Sequence, residues 1–302
     1  MSNLDLVIVG SVGIDDVATP TEERTGLLGG SASYACAAAS FWSKTGMVGV
    51  VGTDFPQAHT DLYKKFNIDL EGLQVKEGKT FYWSGKYHEN MDNRDTLVTE
   101  LNVFEHFTPD LPESYRGTKN LFLGNIAPEL QLKVLEQVEA PRFTLVDTMD
   151  LWINIAHEEL TEVIRKVTML TLNESEARLY TGRHSVHDAA KELLDLGPEY
   201  VLVKRGENGS FLFSKAGSVF IMPAYLVNSV VDPTGAGDTF AGGLMGYLSV
   251  QEEINDEAIR HAILHGNIVA SFGVEDFSLE RYESLAKGEI ETRISQFRDM
   301  LL

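Results

Sequence analysis

Cysteine is nearly absent. The one thiol among 302 residues, Cys36, rules out an intramolecular disulfide and fits a reducing compartment. It lies in a run of small residues, so a buried structural thiol is expected. Bases are scarce as well: 25 Lys and Arg stand against 45 Asp and Glu, a formal charge of −20. A chain so acidic lacks the clustered cations that nucleic acid or an anionic membrane requires, and neither is expected as a partner. The same charge does nothing to attract a nucleotide, so a phosphate site has to work by local geometry. No apolar run approaches membrane-spanning length. The first apolar stretch, 4–9, is too short for a secretory leader and is flanked by acids, so a cytoplasmic protein is expected. No internal repeat, low-complexity tract or linker interrupts the chain, and the eight histidines show no metal-ligand spacing. No Gly-x-Gly-x-x-Gly follows the first apolar stretch, which excludes a Rossmann dinucleotide enzyme.

What is present is an ordinary soluble composition, 43% hydrophobic and 23% charged, on a chain long enough for a large α/β core. The most informative stretch is Val231-Asp232-Pro233-Thr234-Gly235-Ala236-Gly237-Asp238-Thr239-Phe240. Residues 227–231 before it have strand composition. After it, Phe240, Leu244, Tyr247 and Leu248 recur at helical spacing, with Gly242, Gly243 and Gly246 giving a narrow packing face. Gly235, Ala236 and Gly237 therefore fall in a turn that feeds a helix N-terminus, where free amides and the helix dipole favour an anion. Asp238 is out of place in an anion hole. It suits a reaction in which a hydroxyl loses its proton beside a phosphoryl group. The plainer reading makes Asp238 a helix cap and the glycines a tight turn.

Other stretches carry weaker signals. Strand 4–9 ends at Gly10-Ser11-Val12-Gly13-Ile14-Asp15-Asp16, which places Asp15 at the ligand-facing end of a sheet, or in a solvated turn. Residues 26–30 read as a glycine-rich turn before a helix of small side chains over 31–42. Residues 80–87 and 94–101 are β-prone and rich in Phe, Tyr, Trp and Thr, a hairpin apart from the βα rhythm or edge strands of the main sheet. Asn125 and Asp147 close the strands 121–124 and 143–146. Asn173 and Glu176 form a capping-box pattern at the start of a helix. Lys204-Arg205-Gly206-Glu207-Asn208-Gly209 is a turn between two strands. A long helix is expected over 257–271, and Ile290, Ile294, Phe297 and Leu301 mark a surface helix.

The decapeptide resembles the C-terminal signature of the ribokinase-like (PfkB) carbohydrate kinases, Asp-x-x-Gly-Ala-Gly-Asp-(Ser/Thr)-Phe, at every fixed position. Further motifs follow in the family's order: Gly-Ser-x-x-x-Asp ending at Asp15, Gly29-Gly30, Gly52-Thr53-Asp54, Asn-x-x-Glu at 173–176, and Gly206-x-x-Gly209. The resemblance implies a single ribokinase-like domain over 1–302. Its three layers would be a central, mostly parallel sheet flanked by helices, plus a small β lid contributed mainly by about 12–28 and 80–101. It implies an ATP-dependent small-molecule kinase using Mg²⁺, and K⁺ in some relatives, with a homodimer formed through the lid.

Carried over residue by residue, the resemblance makes Asp238 the base and Gly235, Ala236 and Gly237 the anion hole. Asn173, Lys204, Gly206, Gly209 and Gly237 would hold the nucleotide, with Arg205 a second cation near the phosphates. Asn173 and Glu176 would arrange Mg²⁺ through water, and Asp232 and Thr234 a monovalent cation. Asp15, Gly29, Gly30, Tyr34 and Asn125, with Asp238, would form the acceptor pocket. Several of these positions depart from the family pattern. Gly13 and Tyr34 replace asparagines, Ser31 replaces a lysine, Lys204 replaces a small hydroxyl residue, and Met149 stands where Asn follows Asp147. The nucleotide machinery is kept while the acceptor side has diverged. A sugar or sugar-like acceptor is expected, with a nucleoside as the alternative. A phosphorylated sugar is not, because the N-terminal motifs offer no base for a second phosphate. A catalytically silent binder of the same fold is the remaining reading, opposed by the retention of Asp238, Asn173 and Glu176.

Overall fold

The computed structural model describes residues 4–301. Its strands in chain order are β1 (Leu6–Val9), β2 (Gly13–Ala18), β3 (Glu23–Gly29), β4 (Thr45–Gly52), β5 (Asp69–Lys76), β6 (Phe81–Tyr87), β7 (Arg94–Glu100), β8 (Asn120–Leu123), β9 (Phe143–Asp147), β10 (Met169–Asn173), β11 (Tyr200–Lys204), β12 (Ser210–Ser214) and β13 (Val219–Met222). Nine of them form one sheet in the order β13-β12-β11-β10-β9-β8-β1-β4-β5. Every pairing in it is parallel except at the β11-β12-β13 end, which is antiparallel. The inner strands are buried along their whole length, as expected for a sheet with helices on both faces.

The chain leaves β1 toward β4 on one side and later returns through β8 on the other. The carboxyl ends of β1 and β8 thus mark the switch point where open α/β sheets bind ligands. The helix Ser31–Ala39 starts there, and its first residue is locked to β1's exit. Ser11 N–H donates to Ser31 Oγ and Ser31 N–H to Ser11 Oγ, both at 3.0 Å. Its alanines let two more helices in. A Cβ at Gly242 of the helix Ala236–Ser249 would stand 2.2 Å from Ala35 O, and one at Gly246 2.6 Å from Ala39 Cα. The helix Asp256–Gly273 packs on the same bundle. No helix among the described residues is long and apolar enough to cross a membrane.

The remaining strands form a separate sheet in the order β3-β2-β6-β7. The stretches 80–87 and 94–101 therefore pair with each other and with β2, not with the edge of the main sheet. Burial alternates along β2, with Gly13, Asp15 and Val17 inward and Ile14, Asp16 and Ala18 half out. That period is why Asp15 and Asp16, read as part of a turn, lie in a strand. The turn after β1 closes sooner. Residues 26–30, read as a glycine-rich turn, also belong mostly to a strand. The apolar Leu27 and Leu28 pair with Asp15 and Ile14, and Gly26, at φ 69°, supplies the bulge opposite Asp16. Residues 227–231 form no strand. β13 already takes the sheet edge, and the chain runs on as a loop whose Val231 N–H bonds Val274 O at 2.7 Å.

Candidate active site

The turn before the helix Ala236–Ser249 is held from several sides. Asp232 Oδ1 accepts the Thr234 amide at 2.9 Å and Oδ2 the Ser278 amide at 3.3 Å. Thr234 Oγ1 donates to the Tyr87 hydroxyl, 3.1 Å away on β6. Gly235 takes φ 72°, and a Cβ there would sit 2.4 Å from the Tyr34 ring, so only glycine fits. The Ala236 amide is used by Pro233 O and the Thr239 amide by Gly235 O. Among the described residues, no carbonyl takes the amides of Gly235, Gly237 and Asp238. The Asp238 amide is drawn to its own carboxyl. Gly235 and Gly237 keep the free donors, while Ala236, read with them from sequence, closes the turn.

Two carboxyl groups face this turn. Asp238 lies in the first turn of the helix, and its carboxyl is pushed up to about 7 by burial and by Asp147, against the pull of Lys204 and Arg94. Asp15, 4% exposed, is pushed up to about 8 by burial first, then by Asp232, Asp16 and Asp238. No hydrogen bond to its side chain is formed among the described residues. It rests on Gly29, where a Cβ would come within 2.1 Å of its oxygen. Gly30, at φ 95°, would put a Cβ 2.4 Å from Ser11 O. Both glycines thus allow a buried acid to stand beside a helix start. Asp16 points to the other face of β2, where its oxygens accept the Gly26 amide at 2.8 Å and the Tyr82 hydroxyl at 2.7 Å. It braces the small sheet.

On the other side of Asp238, Asn173 and Glu176 make the capping box: Glu176 N–H to Asn173 Oδ1 at 2.8 Å and Asn173 N–H to Glu176 Oε2 at 2.7 Å. Glu176 Oε1 has no hydrogen-bond partner among the described residues. Burial, then Asp147 and Asp150, push the Glu176 carboxyl up to about 7, opposed by Lys204 and the Asn173 amide. A carboxylate with one tethered and one open oxygen fits a hydrated Mg²⁺, which binds few protein groups directly. Lys204 Nζ lies 2.9 Å from both oxygens of Asp147 and 3.1 Å from where a Gly237 Cβ would be. Burial disfavours its charge, but Asp147 and Glu176 outweigh that and hold it above the ordinary lysine value. Arg205 turns away to Glu174, 2.6 Å off, with its guanidinium over Phe211. Of the two candidate cations, only Lys204 joins the site. Gly206 and Gly209 frame the short turn between β11 and β12, with φ 54° and 83°.

Two expected acceptor residues sit differently. Asn125 is occupied: the Trp152 indole N–H donates to its Oδ1 at 2.8 Å, and its own Nδ2 contacts Met149 Sδ at 3.0 Å. Tyr34 is 3% exposed and lies under the turn, its buried hydroxyl within reach of Ser278 but in no well-formed hydrogen bond. Burial, Asp232 and Asp15 push that hydroxyl well above the phenol range. Missed altogether were Trp83, Tyr87 and Arg94 on the inner face of the small sheet. Their aromatic and β-branched neighbourhood signals strands, but the register that faces them inward is not written in any short motif.

A family model described as pfkB family carbohydrate kinase matches residues 5–280. A cytidine kinase from Thermococcus kodakarensis is 35% identical over 257 residues, covering 81% of this chain and 88% of that protein. Among solved structures, a nucleoside kinase from Methanocaldococcus jannaschii aligns with TM-score 0.78 at 18% identity, covering 98% of this chain and 100% of that one. A putative ribokinase II from E. coli, in complex with ATP and Mg²⁺, aligns with TM-score 0.80 at 18% identity and the same coverage.

Proposed function

The chain belongs to the pfkB family of carbohydrate kinases, and from that premise we propose that it transfers the γ-phosphoryl group of ATP to the 5′-hydroxyl of a nucleoside. It is a phosphotransferase acting on an alcohol. The observation that carries the mechanism is the meeting of the Asp238 carboxyl, the Asp15 carboxyl and the free amides of Gly235 and Gly237 at one helix start. The nucleoside reading rests on the 35% identity to a cytidine kinase. It is supported by an inner lid face that presents Trp83, Tyr87 and Met91, an aromatic and apolar wall broad enough for a base.

Mg·ATP supplies the phosphoryl group and a divalent charge that offsets the phosphates. The chain's own residues do the rest. Asp15, whose carboxyl has neither oxygen bonded to the chain, holds the vicinal ribose hydroxyls, accepting hydrogen bonds and, while protonated, donating one. An Asp238 oxygen takes the proton of the attacking hydroxyl, and its raised value makes it a competent acceptor near neutral pH. The two free amides and the Lys204 ammonium meet the charge on the phosphoryl oxygens. Glu176 Oε1 would hold the water shell of a bound Mg²⁺. The small sheet over the cleft excludes water, which would otherwise compete as acceptor.

Two finer elements belong to the same reading. The buried Asp232 carboxyl and the weakly held Tyr34 hydroxyl nearby are groups a monovalent cation would use. Replacing K⁺ by choline then slows the reaction, and equal rates in both salts would remove that site. β7 is exposed throughout, with Leu97 59% exposed beside Val98 and Leu101. A second copy's lid covers it, and a monomeric mass in light scattering at micromolar concentration would exclude this.

The function is tested by ADP release from Mg·ATP over a panel of nucleosides, pentoses, hexoses and polyols, with Asp238→Asn as control. Stimulation by a nucleoside, lost in the variant, is expected. Stimulation by free ribose alone would replace the acceptor, and silence across the panel with ATP still bound would replace the activity.

A further inference from the structure

The lid hairpin carries an exposed cation that no carboxylate of its own sheet neutralises. Arg94 opens β7 and is the cross-strand partner of Tyr87. Directly opposed residues of an antiparallel pair leave the sheet on the same face. Tyr87 is buried and its hydroxyl meets Thr234, so that face looks onto the anion-binding turn. Trp83 shares the face through the alternation of β6, and the Arg94 guanidinium lies over its ring, 5.8 Å from the centroid. Nearby, His88 pairs with Asp95 at 3.0 Å, yet Arg94 enters no ion pair among the described residues.

The hairpin also reaches across the cleft. Asp92 Oδ1 is 3.8 Å from where a Gly206 Cβ would stand, on the nucleotide side. The segment therefore runs from the Thr234 turn to the Gly206 turn, with Arg94 two residues beyond Asp92 and paired across the hairpin with Tyr87. The charge balance beneath it is lopsided. Asp15, Asp147, Glu176, Asp232 and Asp238 converge there, and the one ammonium among them, Lys204, is already held by Asp147. A transferring phosphoryl group adds more negative charge at that place. Arg94 is also among the charges whose field reaches the Asp238 carboxyl.

We propose that Arg94 is a catalytic residue delivered by the lid, its guanidinium engaging the phosphoryl group as it passes from nucleotide to acceptor. This rests on the kinase reading above. The P–O bond to ADP breaks as the bond to the acceptor oxygen forms, the hydroxyl proton passes to Asp238, and Arg94 keeps its protons throughout. A planar fork of donors suits three spread oxygens better than a lysine would.

The test compares Arg94→Gln and Arg94→Lys with the wild type, using Mg·ATP and the acceptor the wild type turns over best. In Arg94→Gln, kcat falls about 100-fold or more while both KM values move less than about threefold; Arg94→Lys recovers about tenfold. The acid limb of kcat/KM moves to higher pH in Arg94→Gln, because Asp238 loses a neighbouring positive charge. A preserved kcat with a raised acceptor KM would overturn the proposal and assign Arg94 to acceptor recognition, a phosphorylated acceptor included. Unchanged kinetics would return it to the solvated surface. Slow hydrolysis of Mg·ATP by water, run without acceptor, separates the two readings. If no nucleoside is phosphorylated but hydrolysis still falls in Arg94→Gln, the nucleoside reading fails and Arg94 stands. If both proteins phosphorylate a nucleoside equally, only Arg94 fails.

Discussion

Lys204 grips Asp147 with its ammonium 2.9 Å from each carboxylate oxygen, and the same ammonium fills the space over Gly237 where a side chain would otherwise stand. The pair ties the end of β11 to the end of β9 and leaves a positive charge at the start of the helix Ala236–Ser249. A buried pair of this kind is weak evidence of stability in itself, since both groups lose their water. Its position beside the free amides makes it functional in our reading.

Lys204→Met therefore has two separable effects. Asp147 is left buried and unpaired, a change that costs about 3–5 kcal/mol in comparable pairs. ATP affinity falls as well. Adding Asp147→Asn recovers most of the melting temperature but not the affinity. Differential scanning fluorimetry and calorimetric titration of ATP on both variants check this. Recovery of both together would make Lys204 a purely structural lysine.

Asp15 gives a pH signature. Its folded value of about 8 lies above the ordinary 3.8, so the fold prefers it neutral. The penalty is absent below about pH 4, grows as pH rises through the window to about 8, and is constant above it. Asp15→Asn removes that penalty. The variant melts higher than the wild type at pH 8 and nearly equal to it at pH 4, while losing acceptor binding. Equal melting temperatures at pH 8 would show that Asp15 is not held neutral. Activity runs the other way, because Asp238 at about 7 must be ionised to take a proton, so kcat/KM rises with pH through that value.

Glu176 has both a capping and a metal-facing oxygen, and one substitution separates them. Glu176→Gln keeps an oxygen for the Asn173 amide but loses the charge behind the Mg²⁺ water shell. It leaves the melting temperature nearly unchanged and raises the Mg²⁺ needed for half-maximal rate about tenfold. Glu176→Ala also loses the cap, for about 1 kcal/mol of stability. An unchanged Mg²⁺ titration in Glu176→Gln would leave only the capping role.

How much of this was legible in the sequence depends on the range of the contact. The anion turn, the capping box and the paired glycines at 29 and 30 are local, and each is written within ten residues. The βα rhythm gave the parallel sheet for the same reason. Arg94, Trp83 and Tyr87 were not readable, because their inward direction depends on the register of β6 against β2 and β7. The opposite fates of Lys204 and Arg205 were hidden as well, since adjacent residues at the end of a strand leave on opposite faces and only partners distant in sequence, Asp147 and Glu174, show which one enters the site. Residues 227–231 misled because β-branched composition gives a preference and no pairing partner; they run half-exposed or exposed as a loop tied to Val274.

Tyr34 is the sharpest test of the diverged acceptor side. Its ring supports Gly235 from below, and its hydroxyl is buried beside Asp232 and Ser278 without a well-formed hydrogen bond. An unsatisfied buried hydroxyl costs about 1–3 kcal/mol, whereas the ring's contacts are worth keeping. Tyr34→Phe keeps the ring and removes the orphan, so without added ligands it melts higher than the wild type. Tyr34→Asn, which restores the asparagine of the family pattern the sequence resembles, opens a void under the turn instead. It destabilises by about 3 kcal/mol or more and lowers kcat, because Gly235 and the amides after it lose their floor. If the hydroxyl has a ligand in the working enzyme, the gain of Tyr34→Phe disappears in K⁺ or with acceptor bound. Melting curves of both variants, with K⁺ or choline and with or without acceptor, decide between these outcomes. A Tyr34→Phe protein less stable than the wild type under all those conditions would mean that the hydroxyl already has a partner in the free enzyme.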